Sequence, residues 1–105
     1  KMDILMPDKK GDTTMSFVKE KNRITYVQNG EMLAEITFPA LENDENTVNI
    51  DHTFVNDVLR GQGVAGTLME QTVEVLRADG RKAVATCSYA KKWFEKHPEA
   101  KDVLR

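Results

Sequence analysis

The sequence predicts an α+β fold in which an antiparallel sheet comes first and a helix–strand–helix unit follows. Three observations carry this. From residue 14 to residue 55 apolar side chains recur at every second position. The dipeptide Asn29-Gly30 falls between two such runs, where a tight hairpin turn is needed. After residue 63 the period lengthens to that of a helix, and one short apolar run separates two helical ones.

Residues 1–13 hold Pro7, Gly11 and several charges, and they read as a loose leader with at most a short strand at 3–6. Met15 and Phe17 then share one face of a strand. Ile24 and Tyr26 share a face before Asn29-Gly30, and Met32, Ala34, Ile36 and Phe38 share one after it. Pro39 ends that strand because it has no N–H for a ladder. Residues 40–47 are acidic and polar, so a loop is expected there. Residues 47–55 alternate again, with Val48, Ile50, His52 and Phe54 on one side.

Beyond the connection at 56–63, Ala65, Leu68, Met69, Thr72, Val73 and Leu76 form a helical stripe, and Gly80 stands where a helix C-cap belongs. Residues 82–87 read as a buried strand. A second helix follows, with Ser88 as N-cap and Tyr89, Ala90, Trp93, Phe94 and His97 on its apolar side. Pro98 interrupts it, and the last residues can form a further turn or two.

The 105 residues suggest one domain, 40% apolar and 30% charged. Net charge is -2 and the sequence pI about 5.7, with no basic stripe, so nucleic acid is not an expected partner. Cys87 is the one cysteine, so no disulfide within the chain can form. No apolar run reaches membrane-spanning length and no signal segment is visible, so a cytoplasmic protein without a membrane partner is expected, as a monomer or weak dimer.

Gly61, Gly63 and Gly66 stand between a predicted strand and a predicted helix. The first N–H groups of a helix have no intrahelical acceptor, and the helix dipole is positive there, so such a loop can hold an anion. It can equally be a simple bend. It is not a Walker loop, since no Gly-Lys-Ser/Thr follows. The glycine spacing fits the dinucleotide fingerprint, but an antiparallel meander precedes it and no acid lies about 20 residues further on.

Arg60-Gly61-Gln62-Gly63-Val64-Ala65 resembles the (Gln/Arg)-x-x-Gly-x-(Gly/Ala) signature of the GCN5-related N-acetyltransferases (GNAT). His52-Thr53-Phe54-Val55, Cys87-Ser88-Tyr89 and His97-Pro98-Glu99 extend the likeness to a very small subgroup of about 100 residues, over residues 14–104. The resemblance implies a mostly antiparallel mixed sheet splayed between its fourth and fifth strands, with two main helices. Acetyl-CoA would lie in the split. Main-chain groups of Phe54 and Val55 would pair with the pantetheine arm, and the amides of Gly61, Gln62, Gly63, Val64 and Ala65 would hold the pyrophosphate. Gly66 and Thr67 would lie within reach of the phosphates, with Arg60 shaping the loop. Longer members place helices between the first two strands. This chain has no room for them, so its acceptor side should be open and shallow.

Cys87 has three readings: a small buried hydrophobe, a wall contact to coenzyme A, or, at a helix start that lowers thiol pKa, a nucleophile taking the acetyl group. His52 is a core histidine or the base that deprotonates an amine acceptor, with Asp51 behind it. Tyr89 is a packing aromatic or, as in the wider family, the acid that protonates the leaving thiolate. Trp93 and Phe94 read as core, and His97 as a cap. No metal-ligand spacing occurs, so no metal is expected. Two functions remain: transfer of acetyl from acetyl-CoA to an amine, or binding of coenzyme A or an acyl-CoA without turnover.

Overall fold

The computed structural model describes residues 15–105. The leader expected at 1–13 lies outside that range. Strand β1 (Met15–Glu20) turns at Lys21-Asn22 into β2 (Arg23–Gln28), which turns at Asn29-Gly30 into β3 (Glu31–Thr37). Asn29 and Gly30 have φ of 54° and 81°, the paired left-handed conformation that matches the twist of a two-residue hairpin. Asn22 ties the first turn to the end of β3, giving Nδ2 to Phe38 O at 3.0 Å and accepting Phe38 N at 2.9 Å.

The alternation expected for β3 is shifted. Between Tyr26 and Val27 the register slips, so that Tyr26 faces Ala34 while Val27 faces Met32 and Leu33 is the extra residue. Leu33 turns inward at 7% exposure, and Met32, expected in the core, is 39% exposed. The loop expected at 40–47 also holds structure: β4 (Ala40–Leu41) pairs with β5 (Asp44–Ile50), Leu41 opposite Asp44 and Ala40 opposite Val48. Asp44 accepts from Asn46 N and Thr47 Oγ1, a side-chain turn that a polar composition disguises as loop.

The strand expected over 47–55 is two strands. β5 ends at Ile50, Asp51 interrupts, and β6 (His52–Val55) continues. β6 joins the antiparallel sheet β1-β2-β3-β6, whereas β5 joins a second sheet, β4-β5-β7. One continuous segment therefore crosses from one sheet to the other. The interruption also resets the alternation. Ile50 is buried, and His52 and Phe54, expected on its side, are exposed. Thr53 and Val55 turn inward in their place.

Helix α1 (Val64–Asp79) packs on the inner face of the first sheet with Val64, Leu68, Met69, Thr72, Val73 and Leu76 buried. Gly80 closes it in the left-handed conformation, as expected. Strand β7 (Lys82–Ala85) runs parallel to β5 from Thr47–Lys82 to Ile50–Ala85. Helix α2 (Ser88–Lys96) buries Ala90, Trp93 and Phe94, and it starts one residue earlier than expected, with extended Cys87 and not Ser88 as N-cap. A 3-10 turn (Pro98–Val103) returns the chain to β7, where Arg105 N donates to Ala83 O at 2.9 Å. The buried side chains of both sheets and both helices form one core centred on Ile24, Ile36, Phe38, Ile50, Leu68, Met69 and Leu76. The result is the mixed, splayed α+β architecture expected, with the split falling between β6 and β7.

Candidate active site

The split has a simple origin. β5 and β7 stay paired to Ile50–Ala85, and then β6 turns to β3 while the chain after β7 turns into α2. At the apex Thr86 N and Cys87 N both donate to Ile50 O at 3.1 Å, and Asn49 Oδ1 accepts Thr86 N and Oγ1. Beyond the apex, among the described residues, β6 has β3 on one side only. The register continues from Ala34–Val55 to Leu33–Asn56, where Asn56 N donates to Leu33 O at 2.7 Å. Main-chain groups alternate in direction along an antiparallel strand, so Phe54, like Asn56, turns to β3. Thr53 and Val55 point their main-chain groups into the split. Of the pair expected to line it with main chain, Val55 does so and Phe54 does not.

At the other end of β6, Asn56 caps a short 3-10 turn (Asp57–Leu59) by accepting Val58 N at 3.0 Å. Arg60 spends its guanidinium on that turn, 2.7 Å from Asp57 Oδ1. The glycine loop follows. Gly61 and Gly63 have φ of 83° and 74°, so both are left-handed, and Gly63 is the N-cap of α1. Gln62 N donates to Leu59 O, but the amides of Gly61, Gly63, Val64, Ala65 and Gly66 have no acceptor among the described residues. Thr67 N and Oγ1 both bond to Gly63 O. Five unpaired donors at the positive end of a 16-residue helix form an anion cradle. They open onto a cleft of about 250 Å³ lined by Val55, Arg60, Gly61, Gly63, Val64, Ala65, Gly66 and Tyr89, besides Asn56 and Leu59.

Cys87 stands at the apex, partly buried, with Sγ 3.2 Å from Thr53 Oγ1. Burial alone would raise its pKa. The Thr53 hydroxyl and the amides of Ala90, Tyr89 and Thr53 outweigh burial and hold the thiol below its ordinary value. The amides of α2 approach the sulfur without closing a full capping bond. Tyr89 is 38% exposed, not packed in the core, and its hydroxyl passes over α1, 3.9 Å from where a Cβ at Gly66 would sit. Burial, and next the negative charge at Cys87, raise its pKa, so the phenol keeps its proton.

His52 lies elsewhere. Neighbours on a strand face opposite ways, so His52 projects from the outer face while Thr53 meets Cys87 on the inner one. Its Nε2 is 3.6 Å from Glu35 Oε1, and Glu35 is held by Arg23 Nε at 2.6 Å. Asp51 Oδ1 accepts Thr37 Oγ1 at 2.6 Å. His97 stacks on Trp93 with ring centroids 4.1 Å apart, and its Nδ1–H donates to Trp93 O at 2.8 Å. So Cys87, Tyr89 and the loop share one groove, and His52 faces the other side of the sheet. Sequence reasoning passed over Thr53, Asn49 and Glu35. The only available signal was their placement opposite the candidates on adjacent strands, which requires the register. Among the described residues no group of three His, Cys, Asp or Glu side chains could hold a metal ion.

The NMR solution structure of a GCN5-like protein from Staphylococcus aureus is similar to this chain at 37% identity, with TM-score 0.68, covering 86% of this chain and 87% of that one. The diaminobutyrate acetyltransferase EctA of Paenibacillus lautus, solved with its substrate and coenzyme A, shares the fold at TM-score 0.60 and 16% identity, over 78% of this chain and 52% of that one. Protein NATD1 of Xenopus tropicalis is 33% identical over 54 residues, which is 51% of this chain and 50% of that relative. The match thus spans about half the length of this curated relative. The model of the GCN5-related N-acetyl-transferase family matches residues 22–103, and the chain belongs to that family.

Proposed function

We propose that the protein binds acetyl-CoA in the groove between β6 and β7 and transfers its acetyl group to a primary amine through Cys87. The observation that carries this is continuity. Five unpaired amides at the start of α1 open onto a cleft bounded by Val55, and the free edge of β6 leads from there past Thr53 to an activated thiol. The amides suit the pyrophosphate, the free main-chain groups of Val55 and the carbonyl of Thr53 suit the two amides of pantetheine, and the thioester then reaches the apex. Bound coenzyme A in the Paenibacillus lautus enzyme of the same fold supports the choice of ligand.

In this reading the Cys87 thiolate attacks the thioester carbonyl carbon. The tetrahedral oxyanion needs an N–H donor, which β6 can supply from Val55 on its free side. Collapse breaks the bond to the coenzyme A sulfur, and the phenol of Tyr89 gives that sulfur its proton. A neutral amine then attacks the acetyl-cysteine carbonyl and regenerates the thiolate. The amine enters as the free base and the proton it sheds on attack returns to the Tyr89 phenolate, since His52, beside Glu35 on the opposite face of the sheet, does not reach the groove.

The test is calorimetry followed by intact mass. Acetyl-CoA is expected to bind and to leave an acetyl adduct that is absent in Cys87→Ala. No binding at millimolar ligand ends the reading. Binding with no adduct, together with acetylation of an amine by Cys87→Ala, moves the chemistry to direct transfer. One observation favours a second reading, a coenzyme A-binding module without turnover. β1 and β2 are joined by only Lys21-Asn22, with no helices to build an acceptor pocket. Binding with neither adduct nor acetylated amine would select it.

A further inference from the structure

We infer that the cleft between α1 and α2 is a subsite for the 3′-phosphate of coenzyme A, with Lys92 and Lys96 as its cationic wall. This rests on the acetyl-CoA reading and deepens it. A cleft of about 460 Å³ is lined by Gly63, Gly66, Thr67, Glu70, Tyr89, Lys92, Trp93, Lys96 and His97. It shares Gly63, Gly66 and Tyr89 with the cleft at the anion cradle, so the two form one groove around Tyr89.

The charges in this cleft are uncommitted. Lys92 and Lys96 lie one turn apart on the same side of α2, both exposed, and among the described residues neither makes an ion pair or a side-chain hydrogen bond. The arginines of the described residues, by contrast, are engaged: Arg77 with Asp102, Arg81 with Asp79, Arg23 with Glu35, Arg60 with Asp57 and Arg105 with Asp44. Glu70 also lines the cleft but pairs with neither lysine, so both keep their charge available for an incoming anion. Under them, Trp93 is 7% exposed and stacks on His97, and it also meets Phe94 edge to face, which gives the cleft a fixed floor.

Coenzyme A carries two phosphate groups on its nucleotide end, the pyrophosphate and the ribose 3′-phosphate, separated by one sugar. With the pyrophosphate on the loop amides, the ribose passes Tyr89 and the dianionic 3′-phosphate comes to the two lysines. The loop alone would accept any acyl-phosphopantetheine nucleotide. The lysine wall adds a preference for the 3′-phosphorylated form.

The experiment compares acetyl-CoA with acetyl-3′-dephospho-CoA by calorimetry on the full chain. Loss of the phosphate is expected to weaken binding to the unaltered protein by about tenfold or more, the scale of a lost charge-assisted contact. In the Lys92→Gln/Lys96→Gln double variant the two ligands should bind alike, with the dephospho ligand unchanged from its value in the unaltered protein. A Lys19→Gln/Lys101→Gln variant, with the same change of net charge outside the cleft, should keep the discrimination. Equal binding of both ligands by the unaltered protein overturns the subsite and leaves the acetyl-CoA reading standing. So does equal weakening of both ligands by the cleft variant. If neither ligand binds the unaltered protein, the acetyl-CoA reading itself falls, and the subsite with it.

Discussion

Thr53 decides how reactive the single thiol is. Buried without partners, Cys87 would titrate above a free thiol, because low dielectric disfavours the thiolate. The hydroxyl of Thr53, 3.2 Å away, is the largest of the hydrogen bonds that oppose burial by favouring the charged form, and with the amides of Ala90, Tyr89 and Thr53 it brings the thiol below its ordinary value. Removing it in Thr53→Val leaves burial less opposed. The pH midpoint for alkylation of Cys87 by iodoacetamide is therefore expected to rise in Thr53→Val, with the far-UV spectrum unchanged. A depressed thiol pKa also links to folding. The folded state releases its proton first, so stability gains as pH rises past the folded pKa and that gain disappears as pH falls back through it. Alkaline unfolding curves of Cys87→Ala should lack this increment relative to the unaltered protein, measured from neutral pH to the ordinary thiol range.

At the scale of elements, α1 serves two masters, the core and the groove, and Gly66 separates them. Gly66 is helical, and a methyl group added there would meet only the Tyr89 hydroxyl at 3.9 Å, an ordinary contact. Alanine is better than glycine within a helix, so Gly66→Ala is expected to raise stability by about 0.5–1 kcal/mol in urea unfolding. The same methyl narrows the groove between the anion cradle and Tyr89, so acetyl-CoA binding should weaken in the more stable variant. Leu68, two residues further, on the other side of the helix and fully buried, should behave oppositely. Leu68→Ala opens a cavity in the core and is expected to cost about 3 kcal/mol. The elements also mark how far the sequence is legible. Asn29-Gly30, the α1 stripe and Gly80 are readable because each rests on local backbone chemistry. The bulge at Leu33 and the interruption at Asp51 are not. Each inserts one residue into a period-two pattern that looks unbroken, and only pairing with another strand reveals it. Met32, His52 and Phe54 are misplaced by sequence for that one reason. Tyr89 is misplaced by another: the helical period says which residues share a face, but not where α1 ends and the groove begins.

On the whole molecule, the two sheets are joined by one crossing segment and one shared core, and the groove is the line along which they part. The loop is legible from the chain alone because it needs only glycines and a helix. The link between Thr53 and Cys87, 34 positions apart, exists only once β5 and β7 are paired in register. Hydrogen exchange can follow that line. The amide of Val55, which faces the split, should exchange faster than those of Ile36 and Ala34 in the paired strand, and acetyl-CoA should slow it selectively. Uniform slowing across all four strands of the first sheet would instead mean that ligand acts on global stability.

β6 has a further consequence as a strand with an unpaired side in the middle of the molecule. Exposed strand edges recruit other strands, and proteins ordinarily shorten, charge or cover them. Here the edge is only four residues long, Asp51 bends one end and a 3-10 turn blocks the other. Those two blunt ends leave room for a thin, extended partner and exclude a polypeptide strand of ordinary length. The interruption that aims Thr53 at the thiol therefore also shortens the edge open to another strand, and a pantetheine arm laid along β6 would finish a sheet that the described residues leave one strand short.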